Sequence, residues 1–133
     1  MDATAAPAVP VLIVDDQAPF RAAARAVIGV TPGFEVVGEA DSGVSGVGTA
    51  RDLAPRLVLM DINLGDMSGI DATREILAEA PDTVVILLST YDAGDLPADA
   101  ATCGAAAYVH KEDFSPAEVR RVWDDHADAS RRV

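Results

Sequence analysis

At 133 residues, half of them apolar, the chain has material for one substantial core and not for two. Its 22 acidic residues against 10 basic ones leave a net charge of −12, which excludes nucleic acid and anionic membrane surfaces as partners of this chain alone, because both require a positive field. The single Cys103 excludes an internal disulfide and reads as a buried thiol, and no apolar run approaches the ~18 residues of a membrane span.

In chain order, the Ala/Pro-rich residues 1–8 are expected to be disordered, and with no basic or apolar leader region they point to the cytoplasm. Short apolar runs then alternate with helix-periodic segments, the pattern of a parallel sheet covered on both faces. A first strand is predicted over 9–14, ending on Asp15-Asp16. Pro19 opens a helix whose Phe20, Ala23, Ala24, Val27 and Ile28 form one stripe, stopped by Gly29 and Thr31-Pro32-Gly33. A second strand, 34–40, leads to a second helix over 42–53. Gly43, Gly46 and Gly48 each cost about 1 kcal/mol there relative to Ala, so that helix is expected to be short or loosely held.

The third strand, 57–60, ends on Asp61. Ser68 with Asp71 has the form of a capping box for a third helix through about Ala80, with Ile70, Thr73 and Leu77 facing inward. A fourth strand, 83–89, ends on Ser89, and a brief fourth helix is predicted near 96–102 with Pro97 in its first turn. The fifth strand, 106–110, runs into Lys111. The last helix starts at a second capping box, Ser115-Pro116-Ala117-Glu118. It carries Val119, Val122, Trp123 and His126 on one face, and Arg131 and Arg132 in its final turn. These elements make an α/β fold, a (βα)5 doubly wound parallel five-stranded sheet in a single domain over 9–130, with 131–133 as a tail.

Parallel strands end along one edge, so Asp15, Asp16, Asp61 and Lys111 converge where open α/β sheets place ligands. Three close carboxylates repel one another, and a hard divalent cation such as Mg2+, together with a fixed positive side chain, relieves that repulsion. Lys111 is the chain's one lysine; its other basic residues are arginines. Asp66 and Asp71 read as loop and helix-N-terminal charges rather than ligands. His110 shares a strand face with Tyr108 and reads as a packing residue, and Trp123 reads equally as a core anchor or part of a partner surface.

Four segments in order, each at a strand end, resemble the receiver domain of two-component response regulators. They are Val-Asp15-Asp16, Met60-Asp61-Ile-Asn-Leu-Gly-Asp-Met-Ser-Gly69, Leu-Leu-Ser89-Thr-Tyr, and Gly104-Ala-Ala-Ala-Tyr108-Val-His-Lys111. The Asp-Met-Ser-Gly segment and the lack of Pro after Lys111 are most similar to the subfamily with LuxR-type helix-turn-helix outputs. The resemblance implies a flavodoxin-like receiver fold, with Asp61 as phosphoacceptor for a histidine kinase. It implies Mg2+ held by Asp16, Asp61 and the backbone carbonyl of Asn63, with Asp15 acting mainly through a coordinated water. Lys111 and Ser89 would meet the phosphoryl oxygens, and Ser89 and Tyr108 would form the switch, although Tyr108 also reads as a plain strand aromatic.

The same resemblance implies a signalling domain rather than an enzyme. Its response would leave through the face of the fourth helix, fifth strand and last helix, toward a homodimer or an output domain. A phosphorylation-independent pseudo-receiver scaffold is the alternative, and retention of Asp15, Asp16, Asp61, Ser89 and Lys111 argues against it. A Mg2+-dependent phosphohydrolase is disfavoured because no cap insertion encloses a substrate. Two departures stand out. Gly65 replaces the usual loop proline and loosens the backbone bearing Asn63, and Asn63 and Tyr91 occupy positions that modulate hydrolysis of the aspartyl phosphate.

Overall fold

A computed structural model describes residues 7–131 of the chain; the expected disorder of 1–6 and the placement of Arg132 lie outside the described residues. Five strands, β1 (Val9–Val14), β2 (Phe34–Ala40), β3 (Leu57–Asp61), β4 (Val84–Ser89) and β5 (Ala107–His110), form one parallel sheet in the order β2-β1-β3-β4-β5. That order is the flavodoxin-like one, whose strand sequence reverses between β1 and β3, and a ligand crevice lies outside the carboxyl ends at that point. The helices are α1 (Ala18–Gly29), α2 (Gly43–Leu53), α3 (Gly69–Glu79) and α4 (Pro116–Arg131).

Alternation along the strands divides the core in two. Leu12, Val14, Val58, Met60, Val85 and Leu87 pack toward α2 and α3. Val11, Ile13, Leu57, Leu59, Ile86 and Leu88 face the opposite way, toward α1 and α4. Every residue of β3 and β4 is buried, so no polar side chain is tolerated there until each strand reaches its last residue, Asp61 and Ser89. Trp123 belongs to this packing: it meets Phe34 edge-on at 5.8 Å and lies under the Arg56 guanidinium at 5.1 Å. Cys103 is buried as expected.

Four local expectations need correction. Ala23 is exposed and leaves the α1 stripe, which Phe20, Ala24, Val27 and Ile28 carry. The second helix is neither short nor loose: α2 runs 11 residues and buries Gly43, Gly46, Val47 and Ala50. Two of its three glycines, Gly43 and Gly46, are there for close approach. A Cβ on Gly46 would sit 2.8 Å from Val14 Cγ1, and one on Gly43 would sit 2.1 Å from Met67 Cγ. Packing therefore offsets the helix propensity that these residues give up.

The fourth helix is absent as an α-helix, and two 3-10 turns, Ala93–Asp95 and Ala98–Ala101, take its place. Between Pro97, with its fixed φ, and Gly104, at φ +99°, too few residues remain to repay helix nucleation. The two capping boxes are half-formed. Ser68 Oγ accepts from Ile70 N at 3.1 Å while Asp71 pairs with Arg74. Ser115 Oγ accepts from Glu118 N at 3.2 Å while the Glu118 carboxylate turns to Arg121.

Candidate functional site

The ends of β1 and β3 bring Asp15, Asp16 and Asp61 together, one carboxylate oxygen from each lying within 4.8 Å of the others. Asp15 is held from two sides. Its Oδ1 accepts from Gln17 N at 2.8 Å, and its carbonyl oxygen accepts from the Arg21 guanidinium at 2.7 Å. The remaining oxygen, Oδ2, is buried 2.8 Å from Lys111 Nζ yet receives no aligned hydrogen bond. Asp16 is exposed at the rim.

Asp61 is 5% exposed. Its Oδ1 lies 3.5 Å from Lys111 Nζ and 3.4 Å from Asn63 N. Burial first, and then the Asp15 carboxylate, push its carboxyl up to about 6, although Lys111 and the Asn63 N–H pull it down. The cleft therefore resists holding its full negative charge, which is the electrostatic requirement for taking in a cation.

Lys111 enters from beyond β5, at the head of a short 3-10 turn, Lys111–Asp113. Its ammonium sits 4.4 Å from the centroid of the Phe20 ring, which in turn stacks at a tilt on Phe114, 6.2 Å away. The aromatic wall restricts the lysine to the carboxylate side. His110, read mainly as a packing residue, also shapes this turn. Its Nδ1 accepts from Glu112 N at 3.1 Å, which assigns the proton to Nε2 and has Nε2 donate to Thr90 O at 3.0 Å.

Among the described residues, neither Ser89 nor Tyr108 forms a side-chain hydrogen bond to Asp61. Ser89 Oγ, buried, accepts from Tyr91 N at 3.0 Å. The half-buried Tyr108 hydroxyl donates to the carbonyls of Ser89, at 3.2 Å, and of Tyr91. Asn63 and Tyr91 meet directly: the Asn63 amide donates to Tyr91 Oη at 3.0 Å. Sequence reasoning placed both residues at the site but did not foresee this contact, which joins the loop after β3 to the loop after β4.

Asp66 is a loop charge, as read, but a committed one. Its carboxylate accepts from Gly43 N at 2.8 Å and Val44 N at 2.9 Å at the start of α2, and those two N–H groups hold its carboxyl below the usual carboxylate range. Phe20, Gln17 and Arg21 were not read as site residues. The available signal was their place at the cap and first turn of the helix that follows Asp15-Asp16, at the same sheet edge.

The donor set suits a hard divalent cation. It consists only of oxygens and carries excess negative charge, and Asp15 Oδ2, paired with Lys111 but receiving no aligned hydrogen bond, could also accept from a coordinated water. Among the described residues no helix is long and apolar enough to cross a membrane.

Comparison with known proteins agrees with this geometry. The family described as "Response regulator receiver domain" matches residues 11–122. Response regulator UvrY of Escherichia coli (strain K12) is 38% identical over 101 residues, covering 76% of this chain and 46% of that protein. A protein-glutamate methylesterase/protein-glutamine glutaminase of Alkalilimnicola ehrlichii is 40% identical over 101 residues, 75% of this chain but 26% of its own length. The chain thus spans less than half the length of these relatives. The signal receiver domain of the putative response regulator NarL from Mycobacterium tuberculosis superposes with a TM-score of 0.81 at 27% identity, covering 92% of this chain and 98% of that one. Sheet order, acidic cleft, strand-end lysine and a family match over most of the chain converge, and the chain belongs to the response regulator receiver domain family.

Proposed function

We propose that this chain is a phosphoacceptor receiver, taking a phosphoryl group onto Asp61 from a histidine kinase in the cytoplasm and passing the change to a protein surface. The observation that carries the reading is the Asp61 carboxylate at the end of the central strand, with the Asp15 and Asp16 carboxylates beside it and the Lys111 ammonium reaching both Asp15 and Asp61. A carboxylate oxygen of Asp61 would form an O–P bond as the donor's P–N bond breaks, with the electron pair leaving on the donor imidazole. Asp16, Asp61 and the Asn63 carbonyl would hold Mg2+, with Asp15 reaching it through water. The ion supplies positive charge to the phosphoryl oxygens as the group transfers.

Lys111 supplies a second positive charge from a fixed position, and Ser89 offers a hydroxyl once its bond from Tyr91 N is released. That release alters the carbonyls on which the Tyr108 hydroxyl rests, so occupancy of Asp61 reaches the surface around β5 and α4. Because 3-10 turns replace the fourth helix, the responding face consists of these turns, β5 and α4. It would meet a second copy or an output domain, as the resemblance to the subfamily with LuxR-type outputs implies. The scaffold reading is not favoured, since Asp15, Asp16, Asp61, Ser89 and Lys111 are all retained, and the domain assignment over 9–130 is part of the same proposal. The chemistry is confined to the chain's own phosphorylation and dephosphorylation, which makes it a signalling domain and not an enzyme with an external substrate.

Incubation with a small phosphodonor and Mg2+ is expected to add one phosphoryl group, about 80 Da by intact mass, and chelation of Mg2+ is expected to abolish it. No adduct under any donor would sink the reading. In the same assay Lys111→Arg is expected to lose about tenfold in rate, ~1.4 kcal/mol of transition-state stabilisation, because a longer planar guanidinium cannot occupy the space between Phe20 and two carboxylates. Wild-type rates in that variant would show that the site needs only a positive field.

A further inference from the structure

The β3–α3 loop carries Asn63 and returns to α3 through a closed turn. Asn63 and Ser68 form an antiparallel bridge, so residues 64–67 are the tip of that turn. One of them, Gly65, stands in open space with no atom within 4 Å of where a Cβ would be, so no side-chain packing stiffens the backbone there. Three other residues tie the tip down. Leu64 is buried in the core, Met67 lies against Gly43, and Asp66 receives two hydrogen bonds from the first N–H groups of α2. Apolar contacts at Leu64 and Met67 limit distance but leave orientation free. The paired hydrogen bonds at Asp66 are directional, charge-assisted and aligned with the positive end of a helix, so they fix the tip in both position and tilt. Ser42 caps the same helix from within, its Oγ accepting from Ser45 N at 3.0 Å, with no link to the loop.

We infer that Asp66 is a positioning residue for the metal site: by clamping the β3–α3 loop to α2 it holds the Asn63 backbone in the place from which its carbonyl reaches Mg2+. The inference rests on the reading of the cleft as a Mg2+ and phosphoryl site. It also accounts for how a loop with glycine at position 65 keeps a defined shape, since the tie to α2 does the work of a rigid turn residue. Partners that orient metal ligands without touching the metal are typically worth about 10- to 100-fold in affinity.

The test is Mg2+ titration by calorimetry on the whole chain, with amide exchange of residues 61–69 measured in metal-free protein. Asp66→Ala is expected to weaken Mg2+ binding by about 10-fold and to speed exchange across 61–69, and Asp66→Asn, which keeps one acceptor, to fall between it and wild type. Ser42→Ala loosens α2 without cutting the tie, and its Mg2+ affinity is expected to stay within about twofold of wild type. Equal affinities for wild type and Asp66→Ala would overturn the inference, as would an equal loss in Ser42→Ala, which would mean that general helix stability is being read. If wild type itself binds no Mg2+, the reading of the cleft fails, and the metal-free exchange alone judges the clamp: unchanged exchange over 61–69 in Asp66→Ala would overturn it.

Discussion

Asp61→Asn is expected to reduce phosphoryl incorporation to background and, at the same time, to make the metal-free protein more stable above pH 6. Both effects come from one carboxylate. As nucleophile it has no substitute, because the Asp15 carboxylate is engaged by Gln17 N and by Lys111 and Asp16 lies at the exposed rim. As a charge it is unfavourable: burial and Asp15 raise its carboxyl from 3.8 to about 6. The folded protein therefore holds the Asp61 proton more tightly than the unfolded chain does. Its contribution to stability is intact below about pH 4 and is lost as pH rises through the interval from 4 to 6.

Two pH units correspond to about 3 kcal/mol at most, and solvent at the open side of the cleft reduces this to roughly 1–2 kcal/mol. Urea unfolding from pH 4 to 8 in the presence of a chelator is the measurement. The difference between Asp61→Asn and wild type should grow across that window and level off above it. Saturating Mg2+ should then raise wild type and leave the variant nearly unchanged. A variant that still takes up one phosphoryl group, or whose stability difference is flat with pH, would contradict this account of the site.

Gly69→Ala is expected to be among the most damaging conservative changes in the chain. Gly69 is the first residue of α3, where alanine would normally help, yet a Cβ there would lie 1.9 Å from the Asp61 carbonyl oxygen and 2.8 Å from its carbon. The Ile62 Cα follows at 3.0 Å. All three atoms are backbone, at the end of a fully buried strand, and the Gly69 N–H already donates to the Ile62 carbonyl at 2.8 Å. Nothing flexible can yield, so relief requires moving the end of β3 and with it the phosphoacceptor. A loss of about 2–3 kcal/mol in unfolding free energy is expected, together with loss of phosphoryl uptake in the fraction that remains folded.

Gly48→Ala serves as the opposite case. It lies inside α2 with nothing within 4 Å of a Cβ, and it should gain about 0.5–1 kcal/mol. Equal responses of the two glycines would mean that close approach at the end of β3 does not constrain the fold.

Much of this molecule was legible in one dimension because its signals are local. Short apolar runs that stop at a carboxylate or lysine mark strands ending on a shared edge, and parallel pairing brings such ends together. Asp15, Asp16, Asp61 and Lys111 follow from that reasoning alone. Resemblance added roles for Ser89, Tyr108 and Asn63, which strand patterning does not distinguish from ordinary strand-end residues.

What tertiary structure alone decided is each property that depends on atoms far apart in the chain. The three glycines of α2 signal weakness when counted as helix propensity. In the fold, Gly43 and Gly46 are the means by which the helix approaches Met67 and Val14, and packing outweighs the cost. Residues 96–102 contain helix-forming alanines, but a proline and a positive-φ glycine leave too short a span, and the segment closes as 3-10 turns. Asp66 looks like any loop charge until α2 is seen to end its unsatisfied N–H groups on it. Composition and periodicity thus determined the sheet, its order of elements and the charged edge, since burial period and strand polarity are written residue by residue. Close approaches, trans caps and the raised Asp61 carboxyl were settled only in three dimensions, because steric contact and desolvation are set by neighbours from other segments of the chain.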